Sequence, residues 1–255
     1  MTHPIIRLVN RNITISLNPG FLIWQVIFPL VYIFVAGFAY APLVQGIQFG
    51  EAKDLGYPAF LASGMIGFNI MNSTLVSGII IWNDRRHGMF EQIMSGPFTR
   101  GHYIISNICT IAIVGLVSAA FIMAVGYPVF FEDAEISLVT IPIIAFGAVA
   151  GSVLFGSLAS IISTRLRSSE GFNVIINTVF LFFAFVSTAF YPAEGVQEPL
   201  RTAFYLNPLT YLVDVIRAGI FGGVDAFVAV EVAVLAVLAC ALFVVASRLL
   251  TRLNV

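Results

Sequence analysis

Residues 103–131 read YIISNICTIAIVGLVSAAFIMAVGYPVFF, an unbroken run without one charged side chain. A helix rises about 1.5 Å per residue, so roughly 20 apolar residues cross a hydrocarbon layer about 30 Å thick. This run is long enough to span. Five other stretches are of the same kind, at 21–44, 58–82, 136–162, 172–191 and 226–246, and across all six the one charged residue is Glu231. A transmembrane barrel would instead show segments of about ten residues alternating apolar and polar, and these do not alternate. Hydrophobic residues make up 59% of the 255 positions, charged residues 10%, and mean hydropathy is +0.99. That leaves too little polar surface for a soluble domain. The reading is an all-α polytopic membrane protein with six transmembrane helices and no soluble domain attached.

Net charge is −1 and says little, but the placement of the charges says more. In a six-span arrangement Arg7, Arg11, Arg85, Arg86, Arg100, Arg165, Arg167, Arg248 and Arg252 share one side, against Lys53, Arg201 and Arg217 on the other. Acids are arranged the opposite way, with Glu51, Asp54, Glu132, Asp133, Glu135, Glu194, Glu198, Asp214 and Asp225 on the Arg-poor side. Lys and Arg concentrate in cytoplasmic loops, so both termini are expected in the cytoplasm, with the spans in a prokaryotic plasma membrane. Residues 1–18 lack the compact apolar core of a signal peptide. Within 1–20, Ile5, Ile6, Leu8, Val9, Ile13 and Leu17 alternate with Arg7, Asn10, Arg11 and Asn12, the mixture of a helix lying in the membrane interface. Pro29 should kink the first span. Gly147 and Gly151, continued by Ser152, Gly156 and Ser160, make a small-residue surface that lets another helix approach, either within one bundle or between copies. Cys109 and Cys240 fall inside spans, where a small apolar role is expected of them rather than a disulfide.

Two connecting segments carry functional information. The first, 83–97, lies on the Arg-rich side: NDRRHGMFEQIMSGP. Asn83 or Asp84 can cap a helix, Gly96-Pro97 can stop it, and Phe90, Ile93 and Met94 form an apolar stripe edged by Arg86 and Glu91. Such a helix either docks into a partner's groove or rests on the membrane surface. The second, 192–223, is apolar yet cut by Pro192, Pro199 and Pro208. Asn207 reads as an N-cap, Pro208 as the first helical residue and Gly222-Gly223 as the stop, which predicts a helix from Pro208 to Phe221 on which Asp214 and Arg217 can pair. The pieces are too short to cross, so they are expected as re-entrant helices between spans five and six, tolerated where protein buries them.

In this order and spacing, the two segments resemble those of the type-2 ABC exporter permeases, a family that includes daunorubicin-resistance and nodulation-factor permeases. The family's early pattern of Arg, Gly-Thr-x-Glu, two hydrophobics, Ser-Pro and a basic residue falls on Arg85 or Arg86, Gly88, Glu91, Ile93, Met94, Pro97 and Arg100, with Met89 and Gly96 departing from Thr and Ser. Its late pattern falls on Pro192, Asn207, Pro208, Leu209, Thr210, Tyr211 and Arg217. The resemblance covers nearly the whole chain and implies a single transmembrane domain over 1–255. It implies two permeases working with two cytoplasmic ABC ATPase subunits, which would bind the ATP and Mg. Residues 84–95 would be the coupling helix, with Arg85, Arg86, Gly88, Phe90, Glu91, Ile93 and Met94 facing the ATPase. Spans one, two and five would border the pathway, and the re-entrant helices, through Pro192, Asn207, Pro208, Tyr211, Asp214 and Arg217, would close it outside.

No G-x-x-x-x-G-K-[ST] occurs, so no cofactor is expected in this chain; a nucleic-acid partner is not expected either, and membrane lipid is. Asn69, Asn72 and Ser73 in span two and Asn173 and Asn177 in span five are candidate pathway residues, although intramembrane Asn also serves to bond helices together. A secondary transporter would need inverted repeats and an ionisable coupling residue, and a membrane enzyme a catalytic His or Asp in a span; the spans show no such repeat, His or Asp, and their one ionisable residue, Glu231, lies near the start of the last span. His3, His87 and His102 read as solvated surface residues. The cargo fits an amphipathic, drug-like or lipid-like molecule, with polysaccharide or glycolipid export as the alternative.

Overall fold

The computed structural model describes residues 3–16, 19–40, 42, 56–131, 138, 140–166, 168–222 and 226–252. Glu51, Lys53, Asp54, Glu132, Asp133, Glu135, Arg167, Leu17, Gly223 and Asp225, all named above, lie outside the described residues, as does the side chain of Glu194. Among the described residues every regular element is helical. The helices are α1 (Pro4–Ser16), α2 (Pro19–Tyr32) continued through a π turn (Ile33–Gly37) into α3 (Phe38–Tyr40), α4 (Tyr57–Arg86), α5 (Met89–Met94), α6 (Arg100–Phe130), α7 (Thr140–Arg165), α8 (Ser169–Phe185), α9 (Leu200–Leu206), α10 (Pro208–Phe221) and α11 (Ala226–Thr251).

Five of these stretches are long and apolar enough to cross a membrane: Ile23–Tyr40, α4, α6, α7 and α11. The sixth expected span, 172–191, is the apolar but shorter α8, whose 17 residues reach only about 25 Å. Its helix ends because the backbone turns out of helical geometry at Val186 (φ −100°, ψ 49°). Local chemistry accounts for three of the helix starts. Thr99 and His102 form a capping box at the start of α6, Ser168 accepts a bond from the Gly171 N–H at the start of α8, and Asn207 caps α10. In α2, Pro29 leaves the Gln25 carbonyl without its helical donor, and the π turn follows within one turn of it.

The bundle is organised around α4, which packs on α6, α7 and α10. From Phe60 to Met71 its side chains are almost wholly buried, so this helix is covered on all sides, and most of what it buries is apolar. The small-residue face of α7 is used inside the chain. A Cβ on Gly151 would stand 2.6 Å from Leu212 of α10, and one on Gly156 would stand 2.5 Å from Ile111 of α6. Cys109 and Cys240 are both free and exposed on the outer surface of the bundle.

The arginines gather at one end. Arg11 of α1 meets Asp84 of α4, the Arg85 Nη1 donates to the Ser163 carbonyl of α7 at 2.7 Å, and the Arg100 Nη1 donates to the Thr251 carbonyl of α11 at 2.5 Å. At the opposite end α9 and α10 form a helical hairpin folded back into the bundle. Its turn, at Asn207-Pro208, reaches the C-terminus of α8, and α10 then runs out between α4 and α7.

Candidate functional site

At the arginine-rich end the boundary between α4 and the short helix differs from expectation. Neither Asn83 nor Asp84 caps α5, because α4 continues to Arg86. Side chains hold that last turn in place: Asp84 is bonded to Arg11, and Arg85 to the Ser163 carbonyl. The break comes at Gly88, at φ 70°, a left-handed conformation that costs glycine little. Helix α5 ends at Met94, so Gly96-Pro97 lies just past its end.

The apolar stripe of α5 is covered by the chain itself. Phe90 and Ile93 are buried in a cluster with Leu8 of α1 and Tyr103 of α6, with Met94 and Phe98 packed at its edge. The Phe90 and Tyr103 rings meet edge to face at 5.2 Å. Of the residues expected to face an ATPase, Arg86, Gly88 and Glu91 are exposed, together with His87, Met89 and Gln92. Arg85 is half-buried and turned towards α7.

Sequence reasoning missed the polar fastening beneath this cluster. The Asp84 side chain is 5% exposed, yet it accepts two bonds from the Arg11 guanidinium, one at 2.9 Å and one shorter, and a third from the Tyr103 hydroxyl at 3.0 Å. The hydrogen bond to Asp84 raises the Arg11 pKa above its ordinary value, against the opposing effect of burial. Asn12, also buried, donates to the Asn107 Oδ1 at 3.1 Å. Helix α1 is therefore bonded to two spans. The pairing joins residues 73 positions apart, and its one sequence trace is that Arg11 and Asn12 follow Leu8 by about one turn. The His3 and His102 rings lie edge-on, 6.1 Å apart, and no group of three metal-ligating side chains occurs among the described residues.

At the opposite end the expected residues do come together. Asn207 accepts from the Leu209 N–H at 2.9 Å as a helix cap, and its amide also donates to the Phe183 carbonyl at 2.8 Å and to the Val186 carbonyl. Pro208 opens α10 and Gly222, at φ 79°, closes it. Asp214 and Arg217 pair at 2.8 Å. Arg217 also donates from Nε to the Ser63 hydroxyl at 3.1 Å and from Nη2 to the Thr188 carbonyl at 3.1 Å, and its guanidinium sits 3.9 Å from the centre of the Phe60 ring. The Thr188 hydroxyl donates to Asp214 at 2.9 Å. Tyr211 donates to the Tyr205 carbonyl across the hairpin, and Pro192 is buried at the turn after α8.

Between α2, α4 and α8 lies a groove of about 130 Å³ lined by Phe28, Tyr32, Phe68, Phe180, Leu181, Ala184, Phe185 and Phe190. Aromatic rings dominate it. Asn69 and Ser73 are buried within the bundle, where the Ser73 hydroxyl bonds the Ile70 carbonyl and the Asn69 Nδ2 has no partner among the described residues. Asn72 is half-buried, whereas Asn173 and Asn177 are exposed on α8.

Comparison with known proteins fits this arrangement. The family described as ABC-2 type transporter matches residues 5–221. The chain is 25% identical over 226 residues to nodulation protein J of Rhizobium leguminosarum bv. viciae, covering 88% of this chain and 84% of that protein. Nodulation protein J of Sinorhizobium fredii (strain NBRC 101917 / NGR234) is 25% identical over 227 residues, covering 88% and 83%. The ycf38 protein of Porphyra purpurea, described as a transport permease, is 27% identical over 203 residues, covering 78% and 67%. A match over most of the chain, on a bundle of membrane-spanning helices, fixes the assignment: the chain belongs to the ABC-2 type transporter family.

Proposed function

We propose that this multi-pass membrane protein is the permease subunit of an ATP-driven exporter, working as two copies with two separate ATPase subunits that bind the ATP and Mg. The observation that carries this reading is the state of α5. Its apolar side is anchored on α1 and α6, while Arg86, His87, Met89, Glu91 and Gln92 stand exposed at the arginine-rich end. A helix held so firmly on one side, with a polar face outward, suits transmission of a push from a soluble partner. The arginine excess supports a cytoplasmic assignment for that end and for both termini, in a prokaryotic plasma membrane.

Pairing of two copies is supported by what this bundle leaves uncovered. Helix α2 exposes Trp24, Ile27, Phe28 and Val31, and α8 exposes the polar Asn173, Asn177 and Thr178 next to Leu181 and Phe182. Asn177 lies about 12 Å along α8, where facing hydrocarbon is unfavourable and bonding to another helix is favoured. The aromatic groove supports an amphipathic or hydrophobic cargo, because rings bind apolar bodies and offer no ion pair. The α9–α10 hairpin is assigned as the outer closure.

The test is purification of the permease with its ATPase from native membranes. Hydrolysis should be stimulated by lipid-like amphiphiles and not by sodium chloride or free sugars. Transport down an ion gradient by the purified permease alone would overturn the reading. Glu91→Lys should reduce recovery of the ATPase at least ~10-fold, a change of about 1.4 kcal/mol, with the thermal unfolding midpoint unchanged because Glu91 is exposed. Phe90→Ala should instead lower that midpoint, because Phe90 is packed between α1 and α6. The pair of variants separates contact with the ATPase from anchoring of the helix.

A further inference from the structure

Helix α4 is fastened by side-chain bonds at both ends. Near its last turn, the buried Asp84 receives Arg11 and Tyr103. Near its first turns, the Ser63 hydroxyl, the Phe60 carbonyl and the Phe60 ring receive the Arg217 guanidinium, which also bonds Asp214 and the Thr188 carbonyl. Ser63 and Asp84 lie 21 positions apart by number, about 32 Å along a helix.

Between those points α4 is regular α-helix, without a π turn, and its one proline, Pro58, is at the start. By contrast, α2 is interrupted by its π turn, and α8 stops at Phe185. The kinds of contact also differ along α4. Charge-assisted hydrogen bonds are directional and fix a register, whereas packed apolar helix faces permit the small sliding of shear motions. A helix fastened by directional bonds at two points, and packed by apolar contacts between them, transmits an axial or rotational displacement from one fastening to the other.

We infer that Arg11 and Arg217 are positioning residues for transport: they fasten the two ends of α4, so that this helix carries displacement of the α1–α5 unit to the α9–α10 hairpin. The inference rests on the exporter reading for its purpose but not for its test, which needs no ATPase.

The experiment is hydrogen–deuterium exchange, read by mass spectrometry, on the permease in lipid nanodiscs. Arg11→Ala should speed exchange of the α9–α10 amides on the order of 5-fold, the low end of ordinary coupling between sites, while α11 is unchanged. Arg217→Ala should do the same at α9–α10. Sites this far apart with no shared partner normally act independently. Here the double variant should give an α9–α10 effect smaller than the product of the single ones, because a rod released at one end has nothing to transmit. The exchanged pair Arg11→Asp with Asp84→Arg should restore slow exchange at α9–α10.

Acceleration confined to α1 and α5 on Arg11→Ala would overturn the inference, and so would effects that multiply in the double variant. If Arg11→Ala loosens α11 as well, Arg11→Lys replaces it under the same criteria, since it keeps the charge and loses the two-pronged contact. Failure here leaves the exporter reading standing; that reading falls instead on ion-gradient transport by the permease alone.

Discussion

Gly64→Ala should destabilise the protein by about 3 kcal/mol or more, at the upper end of what overpacking does. The reason is the identity of the atoms in the way. A Cβ at position 64 would stand 2.1 Å from the Ala189 carbonyl oxygen, 2.8 Å from its carbon and 2.9 Å from its Cα. All three are backbone, so no rotamer change relieves the clash. Nor can the segment retreat easily. The Phe190 carbonyl accepts from the Tyr57 hydroxyl at 3.3 Å, the Ser187 hydroxyl bridges the Ala184 carbonyl and the Ala189 N–H, and Thr188 is bonded to Asp214. Moving residues 187–190 away from α4 therefore strains the whole polar cluster around Arg217. Two other glycines calibrate the effect. Gly67→Ala meets chiefly the Val213 Cγ2, at 2.7 Å, a side-chain methyl that can shift, so its cost should be nearer 1 kcal/mol. Gly195→Ala meets nothing within 4 Å and should be neutral. Thermal unfolding in detergent, read by tryptophan fluorescence and by size-exclusion profile, ranks the three. Equal midpoints for Gly64→Ala and Gly195→Ala would rule out the close approach of α4 to residue 189.

How far the sequence carried each feature depends on how local its cause is. Helix α10 was readable from Asn207 to Gly222 because caps, prolines and glycine stops act within a few residues, and the Asp214–Arg217 pair is one helical turn apart. The end of α4 was not readable. An aspartate that caps a helix and one that lies inside its last turn look alike in a sequence, and what decides for Asp84 is Arg11, from a helix at the far N-terminus. The stripe Phe90, Ile93, Met94 announced that something covers one side of α5; only the fold says that the cover is Leu8 and Tyr103. Residues 172–191 counted as a full span because hydropathy weighs side chains, whereas the helix stops where the backbone turns at Val186. The asparagines of spans two and five are visible as polar residues in apolar runs, but a run of letters does not say which face of α4 meets the aromatic groove. Phe68 does, and Asn69, one residue on, is buried in the bundle interior.

Asn207 should be the least replaceable side chain of the hairpin, and the ranking of its substitutions tests why. Its amide does three things at one buried point: Oδ1 caps α10 through the Leu209 N–H, and Nδ2 donates to the carbonyls of Phe183 and Val186 at the end of α8. Those carbonyls belong to the last turn of a helix, where no further backbone N–H follows to satisfy them. Asn207→Ser keeps a cap acceptor but is too short to carry both donors. Leaving buried acceptors unpaired costs about 1–3 kcal/mol each, so with two of them this variant should lose about 2–6 kcal/mol. Asn207→Ala loses the cap as well, a further ~1 kcal/mol. Asn207→Asp is nearly isosteric and a good cap, yet it should be the worst, because it sets a carboxylate oxygen against two carbonyl oxygens in a site with almost no solvent. The expected order of unfolding midpoints is therefore wild type, Ser, Ala, Asp. A role limited to helix capping gives a different order, with Ser and Asp both near wild type and Ala alone reduced. That second order would show that α8 and the hairpin are not joined through this amide, and the hairpin would then be free to move without disturbing the end of α8.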